Sequence, residues 1–243
     1  MAQIVAFEYV FPLVGCKTIP MKDGVQIEQI YGTAFSLKNG NFLVAGHSIK
    51  NALQHELVGL GYIDKGYVRF HKVTHHEIIA DYDIGFVRAE MPEAKALHWN
   101  FDELPMLGDI QTVGFPYALD LQNLDMRIRA FRGYIVSAPK FYRLPSNPSC
   151  YELSFHCPRG LSGAPLFTVQ TTPKVKGIII GNQSTEMLIY SDKEIIKEGK
   201  ETIFERYEAT QFGIAIQTRS LQNIKSIILG NSVLKYLTTV NLI

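Results

Sequence analysis

Pro158-Arg159-Gly160-Leu161-Ser162-Gly163-Ala164-Pro165 is the stretch on which the reading turns. Two glycines bracket a serine one residue away on either side of Leu161-Ser162, so the backbone can turn sharply and expose the hydroxyl. Alone, such a segment is most often a tight turn. Upstream stand two further short stretches, Leu43-Val44-Ala45-Gly46-His47-Ser48 and Asp81-Tyr82-Asp83-Ile84-Gly85-Phe86. A histidine at a strand end is usually a surface or satisfied core residue, and an aspartate ahead of an apolar run is usually a turn former. Their joint occurrence as imidazole, carboxylate and hydroxyl, in that chain order, is what gives them weight.

Around these three stretches the chain reads as many short strands. Apolar runs bounded by turn residues fall at Gln3–Val10, Gly32–Leu37, Asn41–Ala45, Tyr67–Phe70, Ile84–Arg88, Ile110–Gly114, Arg127–Ser137, Tyr151–Phe155, Pro165–Val169, Val175–Ile180 and Phe212–Ile216. Asn39-Gly40 between two of them is a hairpin signal. Strands of this kind without alternating helices imply a sandwich or barrel. Near the end, Thr218 as N-cap with Leu221, Ile224, Ile227 and Ile228 on one face predicts a helix stopped by Gly230. Phe101–Gly108, with Pro105, reads as a linker between residues 1–100 and 101–243.

At this point the chain resembles the trypsin-like serine proteases, in particular the bacterial, disulfide-free Htr-type branch. The order His, Asp, Ser belongs to the chymotrypsin-type barrels and not to the subtilisin or α/β-hydrolase arrangements. Ala164 also stands where the hydrolase elbow requires glycine. Tyr31–Ser36 resembles the strand before the family's histidine, Met106–Pro116 the opening of a second barrel, and Arg132–Ser137 the strand after it. Val175–Gly181 is similar to the strand that binds substrate backbone, and Phe212–Ile216 to the last strand.

The resemblance implies an all-β fold of two antiparallel β-barrels with a C-terminal α-helix. It implies a serine endopeptidase with His47, Asp83 and Ser162 as catalytic triad. Ser162 attacks the peptide carbonyl, His47 carries the proton, and Asp83 orients the imidazole. The amides of Gly160 and Ser162 form the oxyanion hole, where losing one donor costs ~100–1,000-fold in turnover. His156 falls at the nominal floor of the specificity pocket, with Ile180, Gly181 and Asn182 as its wall. The rival reading is a catalytically silent module that keeps the barrels as a binding scaffold.

The chain departs from the family's secreted members in several places. Leu161 replaces the aspartate that pairs with a freed N-terminus, so competence without N-terminal trimming is expected. The oxyanion loop is then ordered by packing or by a regulatory protein partner. Ile180 replaces a serine that supports the triad aspartate.

Composition bounds the remaining classes. The 243 residues carry a formal net charge of +1, which gives no global field for nucleic acid or acidic membranes. Arg127, Arg129 and Arg132 read as a solvated strand face. His71, His75, His76 and Glu77 lack the further partners a metal centre needs, and neither metal nor cofactor is expected. Cys16, Cys150 and Cys157 suit free thiols in a reducing compartment better than a Cys150–Cys157 bridge. Glu8 and Pro12 interrupt the first apolar run, so no signal peptide is read and a cytoplasmic setting is expected. The charged, apolar-studded segment Thr185–Glu208 reads either as a solvated hairpin or as a lid or exosite for protein substrates.

Overall fold

The computed structural model describes residues 8–19, 24–64, 67–91, 94–116, 119–120, 125–170, 172–196 and 200–243. Six strands close the first barrel: β1 (Val10–Thr18), β2 (Val25–Ser36), β3 (Asn41–Ala45), β4 (Leu57–Asp64), β5 (Tyr67–Ile79) and β6 (Ile84–Ala89). Their spatial order is β1-β2-β3-β6-β5-β4, and every pair is antiparallel. The turn between β2 and β3 places Lys38, Asn39 and Gly40 at positive φ, as the Asn-Gly signal requires. The first strand runs through Pro12 rather than ending there. Pro12 pairs only with Thr33 on β2, since β4 joins β1 from Leu13 onward, so its missing N–H breaks no ladder on that side.

The second sheet begins with β7 (His98–Trp99) and β8 (Asp109–Gly114), and a separate small ribbon joins β9 (Leu119–Asp120) to β10 (Asp125–Met126). It continues with β11 (Arg129–Ser137), β12 (Cys150–Leu153), β13 (Pro165–Thr168), β14 (Lys174–Ile196) and β15 (Lys200–Gln217). The order β13-β8-β11-β12-β15-β14 is closed by pairing of β13 with β14, which makes a second barrel; β7 adds to β14 in parallel. Residues 101–108, between β7 and β8 of this sheet, are irregular.

The C-terminal segment differs from its sequence reading. The helix over residues 218–230 shrinks to α2 (Thr218–Leu221), preceded by Gln217 as N-cap, and Ile227 is 89% exposed. The chain turns because Glu77, on β5, takes this turn's donors. Its carboxylate accepts from Ser226 Oγ (2.6 Å) and from the amides of Ile227 (3.2 Å) and Ile228 (3.3 Å). A charge-assisted acceptor held by the barrel outweighs a few helical bonds. A short pairing of β16 (Lys225–Ser226) with β17 (Asn231–Ser232) follows. The terminal helix is α3 (Val233–Thr239), with Ser232 Oγ accepting from the Lys235 amide.

One core cluster spans both barrels and the terminal helix. Phe35, Leu43, Ile84 and Phe86 of the first barrel pack in the same cluster as Trp99, Phe115, Phe167 and Ile178 of the second and Leu237 of α3. The cysteines are free and buried, and burial pushes each thiol up to about 12. They are therefore neutral near pH 8. Native protein should resist iodoacetamide there, whereas urea-unfolded protein should take up three equivalents by mass spectrometry. The same shift means stability falls as pH rises above about 9, where unfolded thiols ionise and folded ones do not. No helix among the described residues is long and apolar enough to cross a membrane.

Candidate active site

The first barrel presents His47 and Asp83 on adjacent turns. Strand β3 ends at Ala45, and the chain enters α1 (Gly46–Ala52) with His47 in its first turn. A 3-10 turn at Ala80–Tyr82 ends at Asp83, whose left-handed backbone (φ 49°, ψ 39°) redirects the chain into β6. Asp83 then meets His47 through two hydrogen bonds. Oδ1 accepts from the His47 amide at 2.8 Å, and Oδ2 lies 2.7 Å from His47 Nδ1. The two bonds fix both the position of the residue and the tilt of its ring. His47 Nε2 has no hydrogen bond among the described residues, and the side chain is 40% exposed.

Loop 158–164 carries Ser162 between β12 and β13. Gly160 and Gly163 have φ of +94° and +89°, and a Cβ on either would collide with backbone: 2.4 Å from Phe115 O and 2.1 Å from Thr33 O. The loop satisfies three of its own amides, Leu161 to Pro158 O, Gly163 to Ile179 O and Ala164 to Leu161 O. Among the described residues the amides of Gly160 and Ser162 have no acceptor and Ser162 Oγ has no hydrogen-bond partner. A pair of unpaired N–H groups flanking a free hydroxyl is a site that can accept an oxyanion.

Thr33, on β2, ties this loop to the first barrel. It is fully buried and makes three bonds across the barrels. Its amide donates to Ser162 O (2.8 Å), its hydroxyl donates to Gly160 O (2.8 Å), and the same oxygen accepts from the Phe115 amide (3.0 Å). Beside it, a Cβ on Gly32 would stand 2.6 Å from Ser48 Oγ and 2.7 Å from Ser162 O. The turn holding His47 and the loop holding Ser162 thus close on the same strand. The motif reading placed Thr33 in the strand before His47 but gave it no role, because a threonine in a strand carries no sequence signal of its own.

The residues expected to form the pocket divide. His156 is exposed, Ile180 is buried, and a Cβ on Gly181 (φ +146°) would have open space around it. The Asn182 side chain is held in place. Its amide brackets Cys157, with Oδ1 accepting from the Cys157 N–H and Nδ2 donating to its carbonyl, both at 2.7 Å. It braces the segment that leads into the nucleophile loop, a role invisible without the tertiary contact.

The other clusters resolve into structural contacts. His71 stacks on Tyr62, His75 lies 3.2 Å from Thr74 Oγ1, and Glu77 caps the C-terminal turn. Among the described residues no three His, Cys, Asp or Glu converge as metal ligands would. Arg129 donates to Pro116 O and Arg132 lies 3.7 Å from Asp109, so both are engaged within the fold. A second carboxylate–imidazole–hydroxyl line joins Glu28, His55 and Tyr31 (2.9 and 2.6 Å) on the first barrel. Lys17 and His55 hold the Glu28 carboxyl below its ordinary value.

No family model and no curated protein matches the chain. Solved structures do. The MamO protease domain from Magnetospirillum magneticum is 13% identical, with a TM-score of 0.55 over 87% of this chain and 93% of that one. The active form of the Rv3671c protease from M. tuberculosis is 15% identical, with a TM-score of 0.57 over 90% and 80%. The HtrA-type protease AlgW, solved with a decapeptide, is 14% identical, with a TM-score of 0.56 over 87% and 61%. Likeness at such low identity speaks to architecture, and the chain has the trypsin-like double-barrel fold of these protease domains.

Proposed function

We propose that the chain is a serine endopeptidase acting on protein or peptide substrates through His47, Asp83 and Ser162. The observation that carries the reading is the pair of Gly160 and Ser162 amides with no acceptor among the described residues, together with an imidazole held twice by Asp83. In the first step Ser162 Oγ attacks the carbonyl carbon and its proton passes to His47 Nε2. The carbonyl oxygen gains negative charge and is received by the two amides. His47 then gives the proton to the leaving amine, and water repeats the sequence on the acyl-enzyme. Ser162 Oγ closes on Nε2 when substrate packs against the loop, as open sites of this kind commonly tighten on binding.

Leu161 is fully buried among Ile110, Ile135 and Leu166, so apolar packing supports the loop where other members use an ion pair. Three unpaired thiols support a reducing, cytoplasmic setting. The test is a fluorophosphonate probe applied to the full chain, followed by peptide mapping. Covalent label on Ser162 is the expected result. A folded chain that takes no label would make this fold a silent binding module instead.

A further inference from the structure

Strands β14 and β15 run far past the barrel they close. Their pairing extends from Gly177 opposite Gln217 out to Ile196 opposite Lys200, although β12 accompanies β15 only over Gly213–Ile216. On the other side, β13 accompanies β14 only as far as Ile178. The last links are the Gly163 amide to Ile179 O and the Ile179 amide to Ala164 O. From Ile180 onward no strand among the described residues covers the outer edge of β14. The open edge therefore begins where β13 gives way to the Ser162 loop. At about 3.3 Å per residue, Ile180 to Asp192 offers an edge on the order of 40 Å.

This ribbon is exposed on both faces. Every residue from Ser184 to Asp192 and from Ile203 to Gln211 is solvent-exposed, including Met187 (60%), Tyr190 (55%) and Phe204 (54%). A lone two-stranded ribbon is marginal in water, and exposed apolar side chains at this density mark a contact surface. Its charge selects the occupant. Glu186, Asp192, Glu205 and Glu208 face a single base, Arg206, across these two stretches. A second copy docking by two-fold symmetry would set acid against acid.

We propose that the free edge of β14 continues the substrate cleft and receives an extended polypeptide carrying basic and apolar residues, added as a further strand. Main-chain bonds to the edge supply affinity, and the exposed apolar and acidic side chains supply preference. Strand β14 points away from Ser162, so an antiparallel guest runs toward it. The ribbon then holds the part of the chain amino-terminal to the bond that is cut. The word substrate rests on the peptidase reading; the docking itself does not.

The test uses the Ser162→Ala chain, so that binding is read without turnover. Fluorescence anisotropy follows a labelled peptide of alternating Lys and Val and its Glu–Val counterpart. The comparison variant replaces residues 186–209 by Asn-Gly, closing Thr185 on Thr210 as a two-residue hairpin. The Lys–Val peptide should bind the intact chain at least about tenfold more tightly than the Glu–Val peptide, and lose at least about tenfold on trimming. Should the trimmed chain fail to fold, Glu186→Lys/Glu208→Lys in the full ribbon should lower affinity several-fold. Equal binding to intact and altered chains would overturn the proposal. So would a dimer, seen by sedimentation, that trimming abolishes. Failure of the peptidase reading would appear separately, as absence of label on Ser162 in the unmutated chain.

Discussion

Purified Ser162→Ala should lose peptidase turnover by roughly 10⁵–10⁶-fold while keeping the melting temperature of the parent. The hydroxyl makes no hydrogen bond among the described residues, so its removal orphans none of their buried groups. His47→Ala should lose activity on the same scale, because an unassisted serine hydroxyl is a weak nucleophile at neutral pH. Asp83 keeps one of its two partners in that variant, since the residue-47 amide still donates to Oδ1. Members of such a unit fail together, so the double variant should be no slower than the worse single one by any large factor. Steady-state cleavage of a library-selected peptide, with circular dichroism melts, measures all three. Turnover retained by Ser162→Ala would remove this serine from the chemistry.

Thr33→Val should lower kcat by about 10–100-fold and leave KM within about threefold. Valine fills the same volume and removes one donor and one acceptor. Gly160 O and the Phe115 amide are then left without their partner, at about 1–3 kcal/mol for each buried group. The loop whose amides receive the oxyanion in the proposed mechanism loses the tie to its Gly160 carbonyl. An interaction felt only as charge develops appears in kcat rather than in KM. Thr33→Ser restores the hydroxyl and should return activity to within about threefold of the parent. An unchanged kcat in Thr33→Val, with only a lower melting temperature, would make Thr33 a packing residue and nothing more.

What could be read in the sequence was whatever is local. Strand β3, the Asn39-Gly40 turn and the glycines of the serine loop each follow from a few adjacent residues, and the structure has them where the pattern places them. Long-range polar contacts were not legible. Ile224, Ile227 and Ile228 keep helical spacing, yet a carboxylate from β5 captures that turn from 149 residues away. The bracing of Cys157 by Asn182 was not legible, because nothing in its neighbours announces the partner. The ribbon was legible as a hairpin among its alternatives but not in length. With solvent on both faces, its strands need no alternation of apolar and polar residues. Lys197 and Gly199, at its tip, lie outside the described residues.

Lys38 and Asn41 stand at the β2–β3 turn of the first barrel, yet their partners come from near the other end of the chain. Lys38 Nζ donates to Val240 O, Asn41 donates to the Tyr236 hydroxyl, and that hydroxyl donates to Lys38 O, across about 200 positions. Joined to the shared core, this lacing gives the molecule a high contact order, because loop closure must come before most of the reward. Folding is correspondingly slow. Half-made chains expose strand edges and apolar faces that the last segment is meant to cover, and they are the species prone to aggregate. His47 and Asp83 on the first barrel and Ser162 on the second lie on segments that this lacing and the shared core bring together. If the peptidase proposal holds, a chain built this way would gain its activity only after both barrels have been joined.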